Sequence, residues 1–188
     1  MESLDKNHIA ALLDAARKSD RDYLAVALSY QHALRASECC SLKVSDFDRS
    51  TAQWQLTVNH LKHSETTCQP VFPETQAILA AYIRANGLKD NDYIFAGRTL
   101  GDHMHRSTWF KRFQDLCIST GVIPSDWRHP HVLRHSMAHH IIQTAGIMHT
   151  KQYLAHRSIK STAEYLKSDD KSASAAVWSA LGLQASLG

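Results

Sequence analysis

Apolar residues recur every three or four positions along most of this chain, a spacing that commits it to helices packed side by side. From about Asp5 to Lys18 the period sets Ile9, Leu12, Leu13 and Ala16 on one face, with Ser3 or Asp5 placed to cap the first turn. Asp22 to His32 continues it through Leu24, Ala27 and Leu28, and a short helix is expected from Ser37 to Leu42. The period then breaks. Between Ala52 and Asn59, Trp54, Leu56 and Val58 alternate with Gln53, Gln55 and Thr57, the twofold repeat of a half-buried strand. A polar stretch, His60 to Thr66, leads to a second extended run, Thr67 to Phe72, so a small hairpin is expected between helices. Helix resumes at Glu74 to Asn86 and ends at Gly87. Asp92 to Phe95 is short and apolar, and Thr108 to Thr120 is helical until Gly121 and Pro124. Further helices are expected at about 131–144, 150–155, 160–168 and 172–181. The fold class is mainly α with a small antiparallel β-sheet (α+β).

No repeat, low-complexity tract or Pro/Gly/Ser linker divides the 188 residues, which suit one domain with a continuous core. The composition, 44% hydrophobic and 21% charged, is that of a globular protein, and no apolar run approaches the ~18 residues of a membrane span. The polar, acidic N-terminus does not read as a signal peptide, so the expected location is cytoplasmic. Cys39, Cys40, Cys68 and Cys117 form no CxxC pair and read as reduced thiols packed as small hydrophobes. A net charge of +3 permits an anionic partner without demanding one.

The chemistry-bearing residues lie in separated boxes. Ala33-Leu34-Arg35-Ala36-Ser37-Glu38 follows the second helix, and Leu61-Lys62-His63 lies on the hairpin. In His131-Val132-Leu133-Arg134, histidine and arginine three positions apart share one helix face. His156 follows in Leu154-Ala155-His156, and Tyr165 comes nine residues later. Taken singly, each has an ordinary structural explanation. Arg35 with Glu38 would be a helix-surface pair, Tyr165 a core aromatic and His156 a polar loop residue.

Together and in this order, the five boxes resemble those of the tyrosine recombinase (phage integrase) family, across residues 33 to 165. The resemblance implies that family's catalytic-domain fold, with residues 1–188 forming a single catalytic domain and the N-terminal core-binding domain absent. Some members manage with little more than this domain; the other alternative is a fragment of a longer protein. The implied activity is site-specific cleavage and rejoining of DNA strands through a 3′-phosphotyrosine bond.

In that chemistry the phosphorus passes through a pentacoordinate state with extra negative charge. Two guanidiniums suit that charge, being always protonated and able to donate in pairs, and these are Arg35 and Arg134. Tyr165 is the nucleophile; its phenol, with an ordinary pKa near 10, needs activation, and His131 is the candidate general base. By resemblance, Lys62 protonates the departing 5′-oxygen and His156 hydrogen-bonds the scissile phosphate. Lys43, Arg106, Lys111, Arg112, Arg157 and Lys160 are candidate DNA-phosphate contacts. Alanine stands at 33 and 155 where the family has glycine, which matters if the backbone there needs positive φ.

The partners implied are double-stranded DNA, further copies of the chain assembling as a tetramer on it, and accessory proteins, with nucleoid association when bound and no membrane. No cofactor is implied. His135 and His139 have the spacing of a zinc site, but Ser136 stands where the glutamate of an HExxH motif belongs, so no metal is expected. Two other readings compete: a DNA-binding regulator that lost the reaction, and a relaxer of supercoils resembling type IB topoisomerases. Residues 172–183, rich in good helix formers, resemble in position the family's terminal helix and are the expected assembly element.

Overall fold

Capping decides where the first helices begin. In the computed structural model, which describes residues 3–58 and 66–154, the Asp5 carboxylate accepts the His8 backbone N–H at 2.8 Å and opens α1 (Lys6–Ala16). Ser19 does the same through the Asp22 N–H at 3.3 Å, so α2 (Asp20–Gln31) begins two residues before the apolar period predicts. A five-residue α3 (Ala36–Cys40) follows.

α2 is the hub. Tyr23, Leu24, Ala25, Val26, Ala27 and Leu28 are all buried, so the helix is enclosed on every side rather than along one stripe. It packs against α1, α3, α4 and α6. α4 (Pro73–Ala85) starts with proline at its first position, where the missing N–H has no intrahelical partner to lose. α5 (Arg106–Thr120) turns Trp109, Phe113 and Cys117 inward at four-residue spacing, the two rings meeting edge to face with centroids 5.6 Å apart. It stops at Gly121, which takes φ 69°.

The expected hairpin is part of a three-stranded antiparallel sheet in the order β1 (Phe47–Asp48), β2 (Gln55–Val58), β3 (Thr67–Pro70). β1 spans two residues, too few for a period to register in sequence. Leu56 and Val58 are buried as the alternation predicts. The short apolar segment Asp92 to Phe95 packs inward: Ile94 donates its N–H to the Leu42 carbonyl at 2.8 Å, and Ile94 and Phe95 fill the core. The final described helix, α6 (His131–Tyr153), is broken at Gly146, with φ 80° and ψ 174°, which accounts for the two helices expected on either side. Ser136, at the position of the missing zinc-site glutamate, serves the fold. Its hydroxyl accepts the Leu4 N–H at 2.8 Å and donates to the Val132 carbonyl at 2.7 Å, tying the start of the chain to α6.

Cys39, Cys40 and Cys117 are buried and burial raises their thiol pKa values, Cys40 to about 11 and Cys117 to about 12; Cys68 lies exposed on β3. Among the described residues, no helix is long and apolar enough to cross a membrane.

Candidate active site

Between α2 and α3 the chain turns through Ala33, which takes φ 50° in the left-handed region. The turn is held by Ala33 N–H to Tyr30 carbonyl at 3.1 Å and Leu34 N–H to Ser29 carbonyl at 3.0 Å. Two residues on, Arg35 is delivered to the start of α3. Glu38, 5% exposed, holds it twice: one carboxylate oxygen accepts the Arg35 backbone N–H at 2.7 Å and the other pairs with its guanidinium at 2.6 Å. The Arg35–Glu38 pair is therefore a half-buried anchor that aims the arginine.

Alanine replaces glycine at 33 with little net cost. Left-handed backbone strains an L-residue by roughly 1–2 kcal/mol. Against this, the buried methyl packs on Ala138 and Leu154, contributing about 0.8 kcal/mol. Glycine would also free the unfolded chain by about 0.4–1 kcal/mol. The terms nearly cancel, so Ala33→Gly should leave folding stability within about 1 kcal/mol of the parent. Ala33→Val, branched at a positive φ and overfilling a closed site, should lose about 2 kcal/mol or more. Urea unfolding midpoints measure both; a stabilising valine would refute the account.

Arg134 closes the turn from the other side. It lies in the first turns of α6, is 2% exposed, and donates from Nη1 to the Ala33 carbonyl at 2.5 Å and from Nη2 to the Leu154 carbonyl at 2.9 Å. One guanidinium thus fastens the segment leading to Arg35 and the end of α6, two residues before His156 in the chain. His131, one turn before Arg134, lies against His135 with ring centroids 4.3 Å apart. Part of its surface is open to solvent, but crowding by neighbouring protein, with the charges of His135, Arg134 and Arg35, lowers its pKa to about 4. The Arg134 bond to the Ala33 carbonyl sets α6, with His131 one turn earlier, against the segment that leads to Arg35, 96 to 99 positions away in sequence.

Lys62, His156, Arg157, Lys160, Tyr165 and the segment 172–183 lie outside the described residues. Of the other basic candidates, Arg106 and Lys111 are exposed on α5. Lys43 sets its ammonium 5.0 Å over the Tyr93 ring. Arg112 pairs with Asp22 of α2 at 2.5 Å, which gives it a structural task between helices.

Sequence reasoning passed over a buried polar group beside this site. His32 is fully buried, and its Nδ1 meets Gln69 Oε1 at 2.9 Å. Gln69 Nε2 donates to the Tyr153 carbonyl at 3.1 Å and to Thr67 Oγ1 at 3.2 Å. The available signal was Gln69 itself, a polar residue at an inward position of β3, paired with buried Leu56 of β2.

Burial lowers the His32 pKa to about 4. As pH falls below the ordinary value of 6.5, the unfolded chain takes up a proton that the folded one refuses until about pH 4. The stability from a neutral His32 is complete above pH 6.5 and lost progressively down to pH 4, about 3 kcal/mol in all. Between pH 7 and pH 5, His32→Asn should lose about 2 kcal/mol less stability than the parent in urea titrations. Equal losses would exclude His32 as a source.

The model of the phage integrase family matches residues 2–172. A tyrosine recombinase of Pseudothermotoga lettingae is 31% identical over 161 residues, covering 85% of this chain and 54% of that protein. The type 1 fimbriae regulatory protein FimE of Escherichia coli K12 is 30% identical over 154 residues, covering 79% of this chain and 75% of FimE. The crystal structure of XerA recombinase superimposes with a TM-score of 0.78 at 26% identity, covering 98% of this chain and 66% of XerA. The chain thus spans about half the length of the first of these relatives and two-thirds to three-quarters of the others. With a family model matching nearly end to end, and with the turn and helix that join Arg35, His131 and Arg134, this chain belongs to the phage integrase, or tyrosine recombinase, family.

Proposed function

We propose that the chain is the catalytic domain of a site-specific DNA recombinase, cutting and rejoining strands through a 3′-phosphotyrosine intermediate. The observation that carries this reading is the Arg134 bond to the Ala33 carbonyl, which holds the helix bearing His131 and Arg134 against the turn that delivers Arg35. Two guanidiniums fixed in this way supply positive charge for the charge that develops on the phosphate, an electrostatic effect worth roughly several kcal/mol of barrier where preorganised.

The Tyr165 oxygen attacks phosphorus while the 5′-oxygen departs with a proton from Lys62; the phenol proton goes to His131, and His156 hydrogen-bonds a phosphate oxygen. A histidine with a pKa of about 4 is neutral at pH 7 but a weak base. A phosphate anion seated between the arginines offsets the positive charges that depress it, so His131 becomes more basic when substrate is bound. The phosphotyrosine conserves the phosphodiester's energy, and attack by a 5′-hydroxyl reverses each step. The same reading implies double-stranded DNA as substrate, further copies of the chain as partners in a tetramer, and the cytoplasm as the place of action. Arg106 and Lys111, exposed on α5, are the described candidates assigned to DNA phosphates, while Arg112 is also engaged by Asp22.

The test is a duplex nicked near the scissile phosphate, which traps the covalent intermediate. A denaturing gel should show a protein–DNA adduct, undiminished in EDTA because the arginines supply the compensating charge. Adduct formation that stops on chelation and returns with Mg²⁺ would overturn the mechanism. Recombination between two sites, against relaxation of a supercoiled plasmid, separates a recombinase from a topoisomerase.

A further inference from the structure

Two short backbone segments frame Arg134: residues 31–33, leading to Arg35, and residues 153–154 at the end of α6. Three ties join them. Arg134 bridges the Ala33 and Leu154 carbonyls. The Tyr153 hydroxyl donates to the Gln31 carbonyl at 2.5 Å. Gln69 bridges the His32 ring and the Tyr153 carbonyl, one residue back from each of the Arg134 contacts. We infer that Gln69 is a positioning residue for Arg134, a second clamp across the same two segments that holds the carbonyls to which the guanidinium is bonded. This rests on the recombinase reading for its catalytic consequence and on the hydrogen bonds alone for its geometry.

The chemistry fixes the direction of each bond. The Tyr153 carbonyl only accepts, so the Gln69 amide nitrogen faces it and the amide oxygen faces His32. His32 must then carry its proton on Nδ1, leaving Nε2 a buried lone pair with no hydrogen-bond partner among the described residues. β3 itself needs none of this. The inward position is occupied by a leucine and a valine on the neighbouring strand, and an apolar side chain would fill it at lower desolvation cost. A glutamine there, 3% exposed, is accounted for by what it holds.

The test compares Gln69→Met, similar in size and without the bonds, with His32→Leu and His32→Asn, the last able to keep the N–H donated to Gln69. In full-length protein at a temperature where all are folded, single-turnover cleavage at saturating nicked DNA should fall tenfold or more in Gln69→Met and His32→Leu. DNA affinity should stay within twofold, and His32→Asn should recover most of the rate. The Gln69→Met/His32→Leu double variant should be no slower than the slower single variant. Amide exchange read by mass spectrometry should quicken in Gln69→Met within 31–35 and 150–154 and nowhere else. Parental cleavage by Gln69→Met, or losses of affinity and rate in parallel, would overturn the positioning role. So would exchange that quickens evenly across the chain. If the parent itself forms no adduct, the recombinase reading fails, and the exchange pattern alone decides whether Gln69 orders the Arg134 frame.

Discussion

Tyr165→Phe will form no covalent link to DNA while binding it as the parent does. The substitution removes one oxygen, the only atom asked to attack phosphorus, and leaves a ring of nearly the same size. Neither guanidinium is disturbed, so the phosphate is still held. On a suicide substrate the parent should accumulate adduct and the variant none, and gel-shift affinities should agree within twofold. A persisting adduct would move the nucleophile elsewhere. Loss of affinity would mean the tyrosine is a packing residue, the role it would have in a regulator that had abandoned the reaction.

Arg134→Lys should be the most damaging change that preserves charge. The planar guanidinium reaches Ala33 at 2.5 Å and Leu154 at 2.9 Å in one fork, and an ammonium on a single carbon stem cannot reproduce that geometry. At least one buried carbonyl loses its partner, costing about 1–3 kcal/mol of stability. The turn that delivers Arg35 loosens with it, so both of the arginines proposed to hold the phosphate are misplaced. Removing one preorganised donor of this kind slows catalysis by roughly 10²–10³-fold, the loss expected in single-turnover cleavage at saturating DNA. Urea unfolding should show the variant folded but weakened. A lysine that cleaves at the parental rate would mean that charge alone matters at this position and that the fork is structural.

The sequence by itself determined the helical character, the hairpin, the boxes and the family. These rest on short-range regularities: a 3.6-residue period, a twofold alternation, and residue types at fixed intervals. It also exposed the alanine at 33 as an exception, because a missing glycine is visible in one dimension. What the sequence could not determine was which residues meet. Arg134 and the Ala33 carbonyl are 101 positions apart, and Gln69 and the Tyr153 carbonyl 84. Backbone carbonyls carry no letter in a sequence, so a guanidinium that grips two of them reads only as one more basic residue. Arg112 makes the same point, for its ion pair with the buried Asp22 of α2, 90 positions away, has no trace in the sequence. β1 and Gln69 passed unnoticed for related reasons: two residues cannot show a period, and a glutamine in a strand looks polar until the sheet has an inside. Partner choice in a low-dielectric interior is settled by which unsatisfied groups the packed helices bring within about 3 Å, and that is decided only when the chain has folded.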